Sequence, residues 1–451
     1  MFLFVFLPIV LIGYYLLNDK YKNYLLLAAS LFFYAWGEPK YVWLMLLSIV
    51  FNYFVGLRVD ALSQANRKLW LSVSIIFNLG LLAIFKYADF IFGIQGIKLP
   101  LGISFFTFHV MSYVIDIYRK DTRAQRNICD LALYISLFPQ LIAGPIIRYK
   151  TVDQQIAGRK HSLEKFADGV NRFVLGLSKK VILSNQLAAV ADKVFATGIS
   201  SLSVGESWLG VICYALQIYF DFSGYSDMAI GLGKMFGFDF LENFNYPYIS
   251  QSVSEFWRRW HISLGNWFRD YLYIPLGGNR VSRIMLYRNL FVVWFLTGLW
   301  HGASWTFVAW GLYYGFFIML EKTFLERLLK KSPKIIRHIY LLFIVLIGWV
   351  FFRANNISQG IGLIKVIMGL GTNPMINNEL LICINDYWYV IVASLIFSTP
   401  LVKELKGKLN EKLLQSSWAY ALHSLILIVC MFIVVLLLNN NSYNPFLYFR
   451  F

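Results

Sequence analysis

Apolar segments of helical length, separated by short polar loops, follow one another along almost the whole chain. Such segments lie near residues 1–17, 21–36, 41–57, 70–88, 101–118, 206–220, 287–301, 303–320, 336–352, 383–400 and 418–438. Several are a little shorter than the ~20 residues that a helix needs to cross a bilayer. This predicts tilted helices, a thinned bilayer or helices that end partway. An amphipathic segment near 181–199 brings the predicted number of spans to about twelve.

Two stretches do not read as ordinary spans. The stretch 128–147 contains Pro139 and Pro145 and has basic sequence on both sides, which favours a re-entrant or in-plane hairpin that is buried in protein. The stretch 255–276 carries charged side chains within an aromatic sequence, namely Arg258, Arg259, Arg269 and Asp270. Each charge at mid-membrane depth costs roughly 2.5–3.5 kcal/mol on insertion scales. We therefore expect this stretch to line a cavity or to lie at the cytoplasmic interface.

Composition supports a membrane protein. The chain has 451 residues, of which 58% are hydrophobic and 14% charged, and this is more apolar surface than a soluble fold buries. No long polar linker interrupts the pattern, so we expect one all-α membrane-embedded domain over 1–451. The first segment lacks a basic region before it and a small-residue cleavage site, so we expect a retained helix.

The positive charge of the chain sets a predicted orientation. The net charge is +17, but the basic residues lie in short loops between apolar segments, which indicates the positive-inside rule and not nucleic-acid binding. The basic loops that alternate near the N-terminus contain Lys20 and Lys22, then Arg58, Arg67 and Lys68, then Arg119, Lys120, Arg123 and Arg126. If these loops are cytoplasmic, the N-terminus lies outside, and an even number of spans returns the C-terminus to the same side.

Common catalytic and metal-binding motifs do not occur in the sequence. The four cysteines show no CxxC spacing, and no HExxH, GxSxG, Walker or dinucleotide motif is present, so we predict no metal and no bound cofactor. His261 and His301 stand apart from the other histidines, because both lie deep in apolar, aromatic sequence. A buried imidazole without a charge partner stays neutral, as a general base requires. The alternative is a structural histidine bonded within a helix bundle.

Asp221 and Asp227, in the sequence DFSGYSD, are two further candidates. A carboxylate in an apolar setting is costly. It can orient a base or bind substrate, or it can be a hydrogen-bonded residue at a helix terminus.

Several motifs together resemble the membrane-bound O-acyltransferase superfamily, in its bacterial alginate O-acetylase branch. They are WRRWHISLGNWFRDYLYIPLGGNR (257–280), NLFVVWFLTGLWHGASWTFVAWGLYYG (289–315), YFDFSGYSDMAIGLGKMFGF (219–238), FFYAWGEPKY (32–41), FFRA (351–354) and NPFLYFRF (444–451). The resemblance implies a ring of about 11–12 transmembrane helices with re-entrant segments around a central tunnel. The core of the family spans approximately 100–400, and a C-terminal motif spans 446–451.

The resemblance also implies roles. His301 matches the hallmark histidine of the family and His261 its second position, while Trp257, Arg258, Trp300 and Asp221 are candidate substrate-binding residues. The implied reaction takes an acyl group, with acetyl favoured, from a cytoplasmic thioester such as acetyl-CoA or an acyl carrier protein. The implied acceptor is a hydroxyl of an extracytoplasmic polysaccharide, with an esterase-like SGNH-type partner outside the bacterial inner membrane. D-alanyl transfer to teichoic acid and a non-catalytic polymer or lipid transporter remain alternatives.

The aromatic C-terminus leaves two interpretations open. On composition, residues 446–451 are an interfacial anchor. Their pattern also resembles a terminal motif whose tyrosine accepts the acyl group, and Tyr448 is the matching position.

The orientation argument is open to a direct test. It predicts that the basic group near the second motif is cytoplasmic, namely Arg258, Arg259, Arg269, Arg280, Arg283 and Arg288. A cysteine introduced at Ser282, in a background without the four native cysteines, should therefore resist a membrane-impermeant reagent that is added outside. A cysteine in loop 89–100, on the predicted outer side, is the positive control. Labelling of both positions from outside would contradict this topology.

Overall fold

The computed structural model describes residues 1–408 and 416–440, and within these ranges the regular secondary structure is helical, without a strand. The α-helices are α1 Leu7–Leu16, α2 Asp19–Gly37, α3 Val42–Ala61, α4 Gln64–Leu82, α5 Ala88–Phe92, α6 Ile103–Arg119, α7 Ile128–Ser136, α8 Tyr149–Gly158, α9 Leu163–Ser178, α10 Asn185–Ala196, α11 Val204–Met235, α12 Val253–Arg259, α13 Ile262–Phe268, α14 Arg283–His301, α15 Trp305–Leu320, α16 Glu326–Lys331, α17 Lys334–Arg353, α18 Ile357–Ile367, α19 Asn378–Phe397, α20 Leu401–Lys408 and α21 Ser417–Asn440. π-helical turns occupy Phe2–Phe6, Ala83–Tyr87, Lys179–Ser184, Arg269–Tyr273 and Glu321–Leu325, and 3-10 turns Ile199–Ser201 and Pro247–Ile249.

The all-α membrane fold predicted from the apolar segments is confirmed. Within the described ranges, six helical stretches are long and apolar enough to cross a membrane: Val42–Ala61, Asn66–Phe92, Leu163–Ala196, Lys334–Arg353, Asn378–Phe397 and Ser417–Asn439. Phe2–Leu16 and Ile357–Ile367 are shorter apolar helices, and the second was not predicted. The helix that ends at His301 begins at Arg283 and has 19 residues, which is longer than the segment 287–301 expected from hydropathy.

The stretches 128–147 and 255–276, which their sequence distinguishes from ordinary spans, do not form single long helices. In 128–147, α7 ends at Ser136 and a buried irregular segment follows, because Pro139 and Pro145 cannot continue a helix. In 255–276, the chain forms the short helices α12 and α13 and then a π-helical turn.

The described chain divides into two compact units. The first comprises residues 1–173 and 228–241. Within it, α3 and α4 are joined by a buried amide pair: Asn78 Nδ2 donates to Asn52 Oδ1 (2.9 Å), and Asn52 Nδ2 donates to Asn78 Oδ1 (3.1 Å). Such a reciprocal pair satisfies polar groups that hydrocarbon cannot. The prediction of one membrane domain over 1–451 stays a prediction.

The second unit comprises residues 174–227 and 242–451 and contains both candidate histidines. Within it, α14 and α15 approach so closely that only glycine fits between them. A Cβ at Gly298 would lie 2.4 Å from the Phe307 carbonyl oxygen, and one at Gly311 would lie 2.4 Å from the Trp294 carbonyl oxygen. A Cβ at Gly302 would meet the Phe307 ring at 2.2 Å. Close backbone approach at Gly298 and Gly311 therefore depends on the absence of a side chain.

We predict that Gly311→Ala destabilises the protein, because the added methyl group meets backbone that cannot move without separating α14 from α15. Overpacking of this kind typically costs about 1–3 kcal/mol. Gly362→Ala is the matched control, since its Cβ would find the nearest atom of Ile199 at 3.4 Å, an ordinary contact. Thermal unfolding in detergent, followed by size-exclusion chromatography, should show a lower midpoint for Gly311→Ala alone. Equal midpoints would contradict the packing argument.

Candidate active site

The first of the two short helices that lead to His261 is anchored at its N-terminus by a buried carboxylate. Glu321 accepts the backbone N–H groups of Val253 (2.6 Å) and Ser254 (2.9 Å), while Ser252 Oγ accepts the N–H of Glu255. The first turn of a helix leaves N–H groups without intrahelical partners, and these three bonds satisfy them. Glu321 thus determines where α12 begins.

His261 lies between α12 and α13 with a left-handed backbone, at φ 45° and ψ 53°. Few residues other than glycine adopt this region, and such outliers concentrate at functional sites. The next residue, Ile262, donates its backbone N–H to the Asn243 carbonyl oxygen (2.9 Å). The backbone of His261 is therefore constrained by the segment that carries Asn243.

The imidazole of His261 is buried, and it has both a polar and an aromatic neighbour. Its Nδ1 lies 3.2 Å from Asn243 Oδ1, and its ring meets the Phe222 ring edge-on with centroids 4.5 Å apart. His261 lies outside the six candidate spans, and burial lowers its pKa to about 3. The imidazole is consequently neutral at ordinary pH.

His301 is the last residue of α14 and is only 5% exposed. Its ring lies edge-on to those of Trp300 and Trp310, each with centroids 4.9 Å away, and also meets Phe352. The Trp300 ring in turn lies 6.2 Å from that of His261. The two histidines, 40 positions apart in sequence, therefore contact one indole.

The predicted substrate-binding residues of the second unit have different surroundings. Trp300 lies against both histidines, as described above. Trp257 is partly buried and packs edge-on against Trp310 and Tyr314 in the aromatic layer beside His301. Arg258 is exposed, whereas its neighbour Arg259 pairs with Glu255 at 2.9 Å. Arg258 is thus the member of this arginine pair that faces outward.

The two aspartates do not lie at helix ends, so that interpretation of the sequence was wrong. Both lie inside α11, which runs from Val204 to Met235. Between them, Gly224 lets the helix pack closely against the backbone of Gly176. Asp221 forms a buried ion pair with Lys180, and Asp227 pairs with Lys179 at 2.6 Å. Both lysines belong to the π-helical turn Lys179–Ser184, which is a feature often found at functional sites.

Two further predictions concern the tail and a metal. Tyr448 lies outside the described residues, so its role as an acyl carrier stays a prediction. Within residues 1–408 and 416–440, no group of three or more His, Cys, Asp or Glu side chains is arranged to hold a metal ion.

Sequence reasoning did not identify Asn243, Lys180 or Glu321. Each is distant in sequence from the group it contacts, and none stands in a recognisable spacing. A signal was present only for Lys180, as a charge immediately before the amphipathic segment 181–199. The partner of a buried polar group is decided by tertiary packing, so the sequence could not have named the others.

Comparisons with known proteins identify the family of this chain. A model of the membrane-bound O-acyltransferase family matches residues 32–358. The chain is 41% identical to the probable alginate O-acetylase of Azotobacter vinelandii, and the match covers 100% of this chain and 99% of that protein. It is 35% identical to the peptidoglycan O-acetyltransferase of Helicobacter pylori, over 98% of this chain and 89% of the other.

A more distant relative carries a different activity. The teichoic acid D-alanyltransferase of Bacillus subtilis is 30% identical, over 51% of this chain and 60% of its own. The near full-length matches are thus to O-acetyl-transferring relatives. The helical membrane fold, the two buried histidines and these matches lead to one conclusion: this chain belongs to the membrane-bound O-acyltransferase family and is an O-acyltransferase of multi-pass membrane architecture.

Proposed function

We propose that the enzyme takes an acyl group, with acetyl favoured, from a cytoplasmic thioester and passes it across the membrane for O-acylation of an extracytoplasmic polysaccharide of the cell envelope. The observation that carries this proposal is the pair of buried imidazoles, His261 and His301, that lie against the Trp300 indole. The names of the two near full-length relatives, which act on alginate and peptidoglycan, support a polysaccharide as the acceptor.

His301 is the proposed general base. In its neutral form it takes the proton from an attacking hydroxyl while the oxygen bonds to the thioester carbonyl carbon, which requires the reacting atoms to approach within about 3 Å. The carbon–sulfur bond then breaks, and the thiolate recovers the proton from the imidazolium. The product is an ester and a free thiol, so the histidine ends in its starting state. Its apolar neighbours favour the neutral imidazole that begins this cycle.

His261 has a supporting role, either orienting the thioester or stabilising the oxyanion that develops during attack. Trp300 contacts both histidines, and Trp257 packs against Trp310, which contacts His301, so both indoles are proposed to contact the substrate. Arg258, being exposed, can attract an anionic donor. Asp221 contributes indirectly, because its ion pair with Lys180 holds α11 in place. The next residue of α11, Phe222, contacts the His261 ring.

The donor and the partner are part of the same proposal. The donor is acetyl-CoA or an acyl carrier protein, no cofactor is bound permanently, and an SGNH-type esterase-like protein completes transfer outside the bacterial inner membrane. Both termini are extracytoplasmic. D-alanyl transfer to teichoic acid is the alternative reaction, which a dedicated carrier protein would supply. A non-catalytic transporter would need no base at all.

We predict that His301→Ala abolishes polymer acylation. Without the imidazole, a hydroxyl must attack while still protonated, and loss of general-base catalysis typically costs about 10²–10⁴-fold in rate. Mass spectrometry of envelope polymers from cells that produce the variant at the wild-type level measures the effect. His338→Ala is a matched control, since His338 Nδ1 donates to the Ser250 carbonyl oxygen at 3.1 Å and His338 is not in the proposed site. Full acylation by His301→Ala would remove His301 from the mechanism and favour the transporter.

We predict that Tyr448→Phe stops transfer to the polymer while the aromatic tail remains. The change removes only the hydroxyl that would accept the acyl group. A phenol with an ordinary pKa near 10 needs a neighbouring base to act as a nucleophile, and His301 is that base in this scheme. Tyr443→Phe, in the polar stretch before the motif, controls for the loss of a tyrosine hydroxyl nearby. Normal polymer acylation in Tyr448→Phe would leave the membrane anchor as the function of the tail.

A further inference from the structure

Asn243 makes the polar contacts of the buried His261 turn. It is fully buried and lies in the segment between α11 and α12. Its Nδ2 donates to Ser226 Oγ on α11 at 3.1 Å. Its Oδ1 lies 3.1 Å from the backbone nitrogen of Ser263, 2.9 Å from Ser263 Oγ and 3.2 Å from His261 Nδ1. One amide thus connects α11, the His261 ring and the first turn of α13.

The backbone of Ser263 fixes the orientation of this amide. A backbone N–H can only donate, so the Asn243 atom that faces it must be the oxygen and not the nitrogen. The opposite orientation would set an NH₂ group against the Ser263 N–H, where neither group can accept, whereas the Ser226 hydroxyl can pair with either end of the amide. The Asn243 amide is therefore assigned by an unambiguous donor.

This orientation determines which nitrogen of His261 carries the proton. Oδ1 of Asn243 is an acceptor, so Nδ1 bonds to it only when protonated, because two lone pairs at 3.2 Å would repel each other. The Ser263 hydroxyl also lies 3.5 Å from Nδ1, but its single proton is directed to the nearer Asn243 Oδ1 at 2.9 Å. A neutral imidazole carries one N–H only. Its other nitrogen, Nε2, is then an acceptor. The bond made by one ring nitrogen sets the state of the other, as is general for histidine.

We propose that Asn243 is a positioning residue for the acyl transfer, and that it holds His261 as the Nδ1–H tautomer so that Nε2 accepts a hydrogen bond from an O–H or N–H group of the substrate. The inference rests on the proposed function and sharpens it. Two supporting roles were open to His261. The geometry favours the role in which its Nε2 accepts a hydrogen bond and so orients the substrate. A ring nitrogen without a proton cannot donate to an oxyanion, so oxyanion stabilisation belongs to other groups.

The tautomer is measurable without any assay of activity. Protein labelled with ¹⁵N-histidine and reconstituted in lipid gives separate solid-state NMR signals for protonated and unprotonated ring nitrogens. The His261 signals are identified by their loss in His261→Gln. In the wild-type protein we expect a protonated Nδ1 and an unprotonated Nε2. A proton on Nε2 would overturn the proposal, and this test needs no variant at Asn243.

Three variants separate positioning from a merely structural role. Asn243→Leu is close in volume and removes the acceptor, so the Nε2–H tautomer should become populated. Asn243→Asp keeps an acceptor toward Nδ1 and Ser263 and should retain the Nδ1–H tautomer. Ser226→Ala removes only the partner of Nδ2 and should leave the tautomer as in the wild type. An unchanged His261 spectrum in Asn243→Leu would contradict the assignment.

Activity then tests the consequence of the tautomer. Polymer acylation should fall on the order of 10²-fold in Asn243→Leu, which is the typical cost of a misplaced substrate, and should recover substantially in Asn243→Asp. Equal losses in Asn243→Leu and Asn243→Asp, with the tautomer intact in the second, would show a structural role only and overturn the positioning role. If the wild-type protein modifies no polymer while its spectra behave as expected, the proposed function fails but the tautomer assignment stands.

Discussion

Polar groups buried in this protein must find their partners inside the protein, and the architecture of its second unit depends on that constraint. A charge or amide that faces hydrocarbon or an aromatic interior loses the hydrogen bonds of water, at a cost of several kcal/mol for each unsatisfied group. Glu321 meets the N-terminal amides of α12, and Lys180 meets Asp221. Each partnership joins segments that are far apart in sequence. Paired polar groups therefore link distant segments of this unit, as disulfides do in small secreted proteins.

The same constraint explains why the candidate site is rigid. His261 has an unfavourable left-handed backbone, and it keeps that backbone because Asn243 is bonded to the His261 ring and to the two residues that follow it, Ile262 and Ser263. Aromatic rings surround His301, and glycines let α14 and α15 pack without a gap beside it. A catalytic group that is held by packing and hydrogen bonds needs little reorganisation during reaction.

The family and the reaction class were predictable because their signal is local. The block 257–315 combines charge, aromatic residues and two histidines in an apolar setting that no common soluble motif shares. Element boundaries also agreed for strongly apolar segments such as α3, α17 and α21. The predicted helix boundary was wrong where polar residues continue a helix. Helix α11 runs for 32 residues and includes the sequence DFSGYSD. Lys179 and Lys180 pair with the two aspartates that had suggested a helix end.

By itself, the sequence determined that this chain is a helical membrane protein of the O-acyltransferase family, and it indicated His261 and His301 as the centre of its chemistry. Hydrophobic periodicity and motif identity are properties of neighbouring residues, so they can be read without a fold. Only the tertiary structure decided that both histidines contact Trp300, that Asp221 pairs with Lys180, and that Asn243 faces Nδ1 of His261. Apart from the adjacent Trp300 and His301, these pairings join residues 18 or more positions apart. Which buried donor meets which buried acceptor depends on how the helices pack, and no local pattern encodes that choice.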